Sequence, residues 1–426
     1  MAGKKHRGVS GGTKLMLVLT CVILVSFGYV WVRLGSGQSV DLSKLNVSTV
    51  FVRHHDETDG ETDSTQNVSA QASATPRSAA ATPNPTAQPN PDTTLTFGGV
   101  IAVEENVRKS GYASDTKKYD FSEFFSLIGA EIQGSVNGAF LENLVIPDGK
   151  VSTLVIPDAG AEMMKSAGFD LSFSGFGKAW EKDAAGIQST RDTLMSKSVY
   201  PLGLCGQESD SRYVIRNADG IRAAFMQYSS VSDNTRKSMT KKNAGYMIPA
   251  ADPEIIRADI QAARADGAQA VIVLLNWGKA GDKSPDKSQV LLAQQIADLG
   301  ADIIIGAGSR VPQKAETLIA SDGRQVLCAY SLGTLISDNR KSANRMGGYL
   351  LHVRLTLDSQ GKLGIPQASY TPTYVWKYRQ DGKDYYRIVA ADRPAPDGMD
   401  SDQSKQMQKT LTAVQNALEG APVTLR

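Results

Sequence analysis

The chain has 426 residues, with 46 basic and 44 acidic side chains and a formal net charge of +2. That balance excludes the strong basic excess of a nucleic-acid-binding surface, and by itself it calls for no polyanionic partner. Hydrophobic residues make up 41%, slightly low for a globular protein, and the shortfall is local rather than general.

Residues 15–32 (LMLVLTCVILVSFGYVWV) carry no charge and are close to the length, about 18 to 20 residues, that crosses a hydrocarbon core as a helix. Lys4, Lys5, Arg7 and Lys14 precede the run and Arg33 alone follows it closely. This excess predicts a single-pass anchor in the cell membrane, with residues 1–14 as a cytoplasmic basic tail and the rest extracytoplasmic. Tyr29 and Trp31 stand where interfacial aromatics belong. A cleaved signal peptide is the competing reading; no A-x-A-like site follows, and the run is long for such a peptide. Cys21 does not suit lipoprotein processing, since Thr20 precedes it and it lies mid-span.

Residues 33–93 read as a linker. From Asp56 to Thr94 the composition is Thr, Ser, Ala, Asn, Pro and Gln, with TPNPTAQPNP at its heart. So few large apolar side chains do not offset the entropy of ordering, and disorder is expected. A flexible chain of that length reaches on the order of 40 Å, which keeps the domain beyond it near the membrane.

At Thr94 the texture changes. TLTFGGVIAV (94–103) reads as a buried strand, and AQAVIVLLNWG (268–278) as a continuous apolar strand ending in polar residues and glycine. SQVLLAQQIADLG (288–300) has helical periodicity and a terminal glycine. ADIIIGAG (301–308) is a further strand, VPQKAETLIA (311–320) a short helix, and RQVLCAYSLG (324–333) a strand again. Apolar strands alternating with helices predict an α/β fold with a sheet buried on both faces. GYLLHVRLTLDSQGK (348–362) alternates, as an antiparallel strand and turn would. The main domain is expected over 94–392, followed by a polar tail (393–426) with a helix at Ser404–Leu418.

In such sheets the site lies beyond the carboxyl ends of the strands. Those ends are Asn276-Trp277-Gly278, Gly308-Ser309-Arg310 and Ser331-Leu332-Gly333-Thr334. LLNWG, then GADIIIGAGSRVPQKAE and AYSLGTLISD, resemble the CapA family of capsule and poly-γ-glutamate biosynthesis proteins, which is related in fold to calcineurin-like metallophosphatases. Its pattern there runs H-W-G, P-x-x-Q, G-A-D-x-I-I-G-x-H-P-H-V-x-Q-x-x-E and Y-S-L-G-N-F. Upstream, TFGGVIA (96–102), FLENL (140–144) and AGFDLSFSGFGKAWEKDAAGIQSTRDTL (167–194) are similar to further family segments. The resemblance spans roughly residues 94–357. It implies a four-layer α/β/β/α sandwich, two sheets face to face between helices.

The resemblance also implies a two-cation site of Asp, Asn and His ligands, and here the sequence departs from it. The first Asp falls on Gly99, the Asn of N-L-E on Phe140, and its Glu is kept as Glu142. The N-N-H triplet falls on Gly175, Phe176 and Gly177, and the following Asp on Trp180. The His of H-W-G is Asn276, the paired His are Gly308 and Arg310, and the Asn after S-L-G is Thr334. A count without alignment agrees. Of four His, His6, His54 and His55 precede the domain, and His352 sits mid-strand, where a structural role fits better. One imidazole does not furnish a His-rich two-metal centre.

The expected site is therefore a degenerate pocket of Glu142, Asn276, Trp277, Ser309, Arg310 and Thr334, with no catalytic residue, metal or cofactor. Arg310 in place of a His offers fixed charge and paired donors to carboxylate or phosphate. Either it takes part of the metals' place and binds an anionic envelope polymer, or it pairs with a local acid such as Glu316 or Asp338. Capsule-synthesis proteins are the other expected partners. The alternative function is an active metal-dependent hydrolase or transferase with ligands drawn from Glu142, Asp170, Asp183 or Asp338. Ser331 lies outside any G-x-S-x-G elbow, Lys178 in GFGKAW reads as a solvated loop charge, and a disulfide between Cys205 and Cys328 is permitted outside the cytoplasm but less expected than two buried thiols.

Overall fold

The computed structural model describes residues 91–426; the anchor expected at 15–32 and the linker up to residue 90 lie outside them. Among the described residues no helix is long and apolar enough to cross a membrane. The chain opens with β1 (Asp92–Ile101), α1 (Glu105–Ser110), the short pair β2 (Tyr112–Ala113) and β3 (Lys118–Tyr119), and β4 (Val136–Leu141). Next come β5 (Leu144–Val145), β6 (Val155–Ile156), α2 (Ala159–Ser166), β7 (Leu171–Phe173), α3 (Asp183–Ser196) and β8 (Tyr200–Leu202). The middle of the chain gives β9 (Tyr213–Ala218), β10 (Ile221–Ser229), α4 (Asp233–Lys241), α5 (Pro253–Ala265), β11 (Ala270–Asn276), α6 (Lys287–Asp298) and β12 (Ile303–Ala307). It closes with β13 (Ala315–Ile319), β14 (Gln325–Ala329), β15 (Thr334–Ile336), β16 (Gly347–Thr356), β17 (Gln367–Gln380), β18 (Lys383–Ala390), α7 (Ser401–Ala417) and β19 (Val423–Leu425).

The strands form two large mixed sheets. One has nine strands in the order β18-β17-β16-β1-β4-β7-β8, with β15 against β1 and β19 against β17; the other has six, β13-β14-β12-β11-β10-β9. Strand β11 (AVIVLLN) is buried at every position and pairs in parallel with β10 and β12. That is the setting in which a continuous Val/Ile/Leu run is stable, because both faces meet apolar partners.

The sheets meet face to face. Leu95, Phe97 and Leu351 of the first share a core with Phe225, Ile272, Leu274 and Ile305 of the second, and the Phe97 and Phe225 rings lie 6.4 Å apart. The outer face of the six-stranded sheet is covered by Ile256, Ile260 and Ala263 of α5 and by Ala293, Ile296 and Ala297 of α6. Met163 and Met164 of α2 and Leu194 of α3 cover the nine-stranded one. Local chemistry starts these helices where the sheets need them. Asp252 caps α5 ahead of Pro253, and Asp286 and Gln289 form a reciprocal capping box on α6, each satisfying amides that a helix start leaves open.

One sequence reading changes. Residues 311–320 do not form a helix: Ala315–Ile319 is strand β13, antiparallel to β14. The Ser321-Asp322-Gly323 turn, with Gly323 at φ +84° and Asp322 Oδ1 accepting from the Arg324 amide, closes a hairpin instead. The helix expected near Ser404–Leu418 forms as α7, and the residues beyond 392 return to the sheet. Met407, Thr410 and Val414 of α7 are buried, and β19 adds to β17 in parallel.

Candidate functional site

The carboxyl ends of β1, β4, β11, β12 and β15 open on one cleft of about 1000 Å³. Glu104 follows β1, Glu142 follows β4, Asn276 ends β11, Gly308 and Arg310 follow β12, and Asp338 to Arg340 follow β15; all line it. Both sheets thus contribute to one wall.

At its centre is a guanidinium between two carboxylates. Arg310 Nε donates to Glu142 Oε2 at 2.7 Å, its Nη2 is ion-paired with the same oxygen, and its Nη1 donates to Glu104 Oε1 at 3.1 Å. Asn276 Nδ2 donates to the other Glu142 oxygen at 3.1 Å, and Glu104 Oε2 accepts from the Asp338 amide at 3.0 Å. Burial alone would pull the Arg310 guanidinium down, but Glu142 and then Glu104 outweigh it and hold it above its ordinary range. The backbone that aims this side chain is left-handed, φ 55°, and its carbonyl accepts from Thr334 Oγ1 at 2.8 Å.

Arg310 thus pairs with local acids, as one of the two sequence readings expected, but the partners are Glu142 and Glu104 rather than the residues named there. It pairs neither with Glu316, which is held by Lys314 and Tyr330, nor with Asp338, which is held by Lys377, Tyr386 and Asn106. Three of the five Arg310 N–H donors are engaged by Glu142 and Glu104. Among the other expected site residues, Trp277, Ser309 and Thr334 sit behind the wall. Trp277 Nε1 donates to the Tyr330 carbonyl at 2.9 Å and its ring stacks on Tyr330. Ser309 Oγ donates to Ser331 Oγ at 2.9 Å. Cys205 and Cys328 are free and buried; burial pushes the Cys205 thiol up to about 11. Sequence reasoning missed Glu104, which directly follows the apolar run of the first strand, and the basic loop of Arg340, Lys341 and Arg345.

The two-cation site that the resemblance implies does not fit these residues. Among the described residues no three His, Cys, Asp or Glu side chains converge to hold a metal. Of the alternative ligands, Asp170 accepts from the Asn137 amide beside a different cavity, and Asp183 pairs with Lys242. Room is lacking too. A β-carbon at Gly99 would stand 2.5 Å from the Gly333 carbonyl oxygen, and one at Gly308, φ +106°, would collide with that of Trp277. Phe140, at another ligand position, is fully buried and packs edge-on to Phe173 at 5.0 Å.

The molecule is thus an α/β protein of two mixed sheets with a charge-neutralised cleft at the strand ends. The model of the bacterial capsule synthesis protein family PGA_cap matches residues 94–339, more than half of the chain, and the protein belongs to that family. It is 30% identical over 158 residues to the PGA biosynthesis protein CapA of Bacillus subtilis (strain 168), covering 36% of this chain and 39% of that protein. Against the capsule biosynthesis protein CapA of Bacillus anthracis it is 26% identical over 160 residues, 36% of this chain and 37% of the other. The chain therefore aligns with well under half the length of these relatives. Among solved structures, a hypothetical protein from Thermus thermophilus gives a TM-score of 0.39 at 13% identity, covering 66% of this chain and 99% of the other. The calcineurin-like phosphoesterase YfkN from Bacillus subtilis gives 0.39 at 12% identity, covering 78% and 99%.

Proposed function

We propose that this protein serves capsule, poly-γ-glutamate or related envelope-polymer biosynthesis as a non-catalytic member of its family, held by residues 15–32 in the cell membrane with its domain outside the cytoplasm. In this reading the two sheets and their helices are the four-layer α/β/β/α sandwich of the metallophosphatase type, with its metal centre replaced. The observation that carries it is the Arg310 guanidinium between Glu142 and Glu104. A fixed monovalent cation there supplies counter-charge to the carboxylates, but has no open coordination position at which to polarise a bond or activate water. The cleft then binds an anionic polymer or a capsule-synthesis partner without turning it over. The membrane assignment is supported by the uncharged run and the basic residues before it.

The test is to incubate full-length protein with poly-γ-glutamate and with capsule polymer, with Mn²⁺ or Zn²⁺ added. The reading expects the polymer to co-sediment with the protein and its chain length to stay unchanged. Metal-dependent shortening or transfer would establish the alternative, an active hydrolase or transferase with non-standard ligands.

A further inference from the structure

The cleft holds a second guanidinium in a different state. Arg340 Nη1 donates to the Val375 carbonyl at 2.6 Å, and its Cζ lies 5.8 Å from the centre of the Tyr386 ring. Those contacts fix the plane of the group. Its other edge, Nε and Nη2, is shielded from solvent and has no hydrogen-bond partner. The nearby acid is committed elsewhere: Asp338 serves Lys377, Tyr386 and Asn106. Burial pulls the Arg340 guanidinium below its ordinary range, opposed only by neighbouring phenols and Asp338.

This is a costly arrangement to leave empty. Arginine stays charged, and a buried charge with unmade hydrogen bonds destabilises the fold unless a partner arrives. Nε–H and Nη2–H are also the parallel pair of donors that matches two oxygens of one carboxylate or phosphate. Charge over the whole cleft is balanced, and its unpaired positive part gathers on the loop after β15. The ion pairs along the cleft join Arg310 to Glu104 and Glu142, Asp338 to Lys377 and Glu105 to Lys109. Lys341 and Arg345, which line the cleft beside Arg340, take no part in them. Arg345 reaches across to the loop after β11, where its Nη2 fills the space that a β-carbon at Gly281 would need.

We propose that Arg340, flanked by Lys341 and Arg345, is an oxyanion-binding subsite of the cleft that receives a carboxylate or phosphate group on its Nε/Nη2 edge. This deepens the reading above and rests on it: Arg310 is paired with internal acids, so the anion is taken by the loop after β15. Asp338–Ser342 lies outside any helix or strand; Asp338 and the Arg340 Nη1 anchor it to the sheet, while Asn339 and Lys341 are held by local turns from the Asn339 amide to Ser337 Oγ and from the Lys341 amide to Asn339 Oδ1, so the Nε/Nη2 edge can be uncovered by a shift of this loop.

The experiment is calorimetric titration of full-length protein with an oligoglutamate and, separately, with inorganic pyrophosphate, for the wild type, Arg340→Lys and Arg340→Gln. Thermal melts of each are recorded alongside. Both substitutions are expected to weaken binding by roughly 10- to 100-fold, the loss of one or two charge-assisted hydrogen bonds. Lysine fails as well because it keeps the charge without the paired donors. The melting temperature of Arg340→Gln should hold or rise, since an unsatisfied buried charge has been removed, and that of Arg340→Lys should confirm that the variant is folded. Preference for oligoglutamate marks a carboxylate ligand, and preference for pyrophosphate a phosphate one. Folded variants that bind like the wild type, or a wild type that binds neither probe, overturn the subsite. Polymer cleavage in the preceding test would overturn the non-catalytic reading while leaving this dependence on Arg340 intact.

Discussion

Arg310 adopts a left-handed backbone that costs a non-glycine residue about 1–2 kcal/mol. The guanidinium it aims offsets that cost, because Glu142 is 9% exposed at its side chain and would otherwise face Glu104 with no counter-charge. Arg310→Ala is therefore expected to cost about 3 kcal/mol in urea unfolding, at the low end for such a pair because Glu104 is partly exposed; an unchanged midpoint would show that the triad is ornamental. His352 makes a second prediction. It is buried between Thr96 and Thr371, with Arg426 Nη1 3.2 Å from its Nδ1. Desolvation first, then Arg426, lower its pKa to about 4. The unfolded chain therefore takes up this proton first: the contribution is complete above about pH 6.5 and is lost as pH falls toward 4, about 3 kcal/mol in all. Comparing the pH dependence of unfolding of His352→Gln with the wild type should show that much less loss over this window, and parallel curves would contradict it. Asn276 and Arg310 were legible in the sequence because strand ends can be located from apolar runs, whereas Glu142 was reached only through the family resemblance. Trp277, Ser309 and Thr334 share those ends, but side chains alternate along extended chain, and which of them face the cleft depends on a register that no single strand reveals. Arg340 lies in a loop without periodicity, and its unpartnered donors exist only in three dimensions.

At the scale of elements, β11, α6, β12 and β14 could be read directly, since a buried parallel strand must be apolar throughout and a helix between sheet and solvent must be amphipathic. Strand β13 could not. It is an edge strand with alternate residues exposed, so Lys314, Glu316 and Thr317 look helical until the hairpin turn at Asp322 is recognised. The last helix shows the same limit. Its capping box at Asp400 and Gln403 is a local signal, but docking is a tertiary fact: Met407 packs with Tyr374, Trp376 and Val389, and Val414 and Leu418 reach the core between the sheets. Truncation after residue 392 should thus expose a large apolar surface and strip β19 from β17. The expected outcome is a drop in melting temperature of at least 10 °C, roughly, given the several buried side chains lost, and a truncated chain melting like the full one would show the tail to be dispensable.

For the whole molecule, the resemblance supplied what residue-by-residue reading could not, namely that two sheets face each other; that five strand ends meet at one cleft came from the structure. What it could not supply is what occupies the space at the positions where the sequence departs from the family pattern. Gly99 and Gly308 are not vacancies awaiting an acid or imidazole, because carbonyl oxygens of Gly333 and Trp277 occupy the space a side chain would need. Gly308→His is accordingly expected to destabilise the fold by about 2–3 kcal/mol or more, from backbone strain and overpacking together, and to gain no metal; a folded variant that binds Zn²⁺ would show that the backbone yields more easily than this geometry allows. The most direct measurement is the metal content of full-length protein equilibrated with Mn²⁺, Zn²⁺ and Fe²⁺ and then desalted. With Arg310 supplying the positive charge between Glu142 and Glu104, far less than one equivalent of any metal should remain bound. One or two equivalents per chain, lost on changing Glu142 or Asp338, would contradict the account.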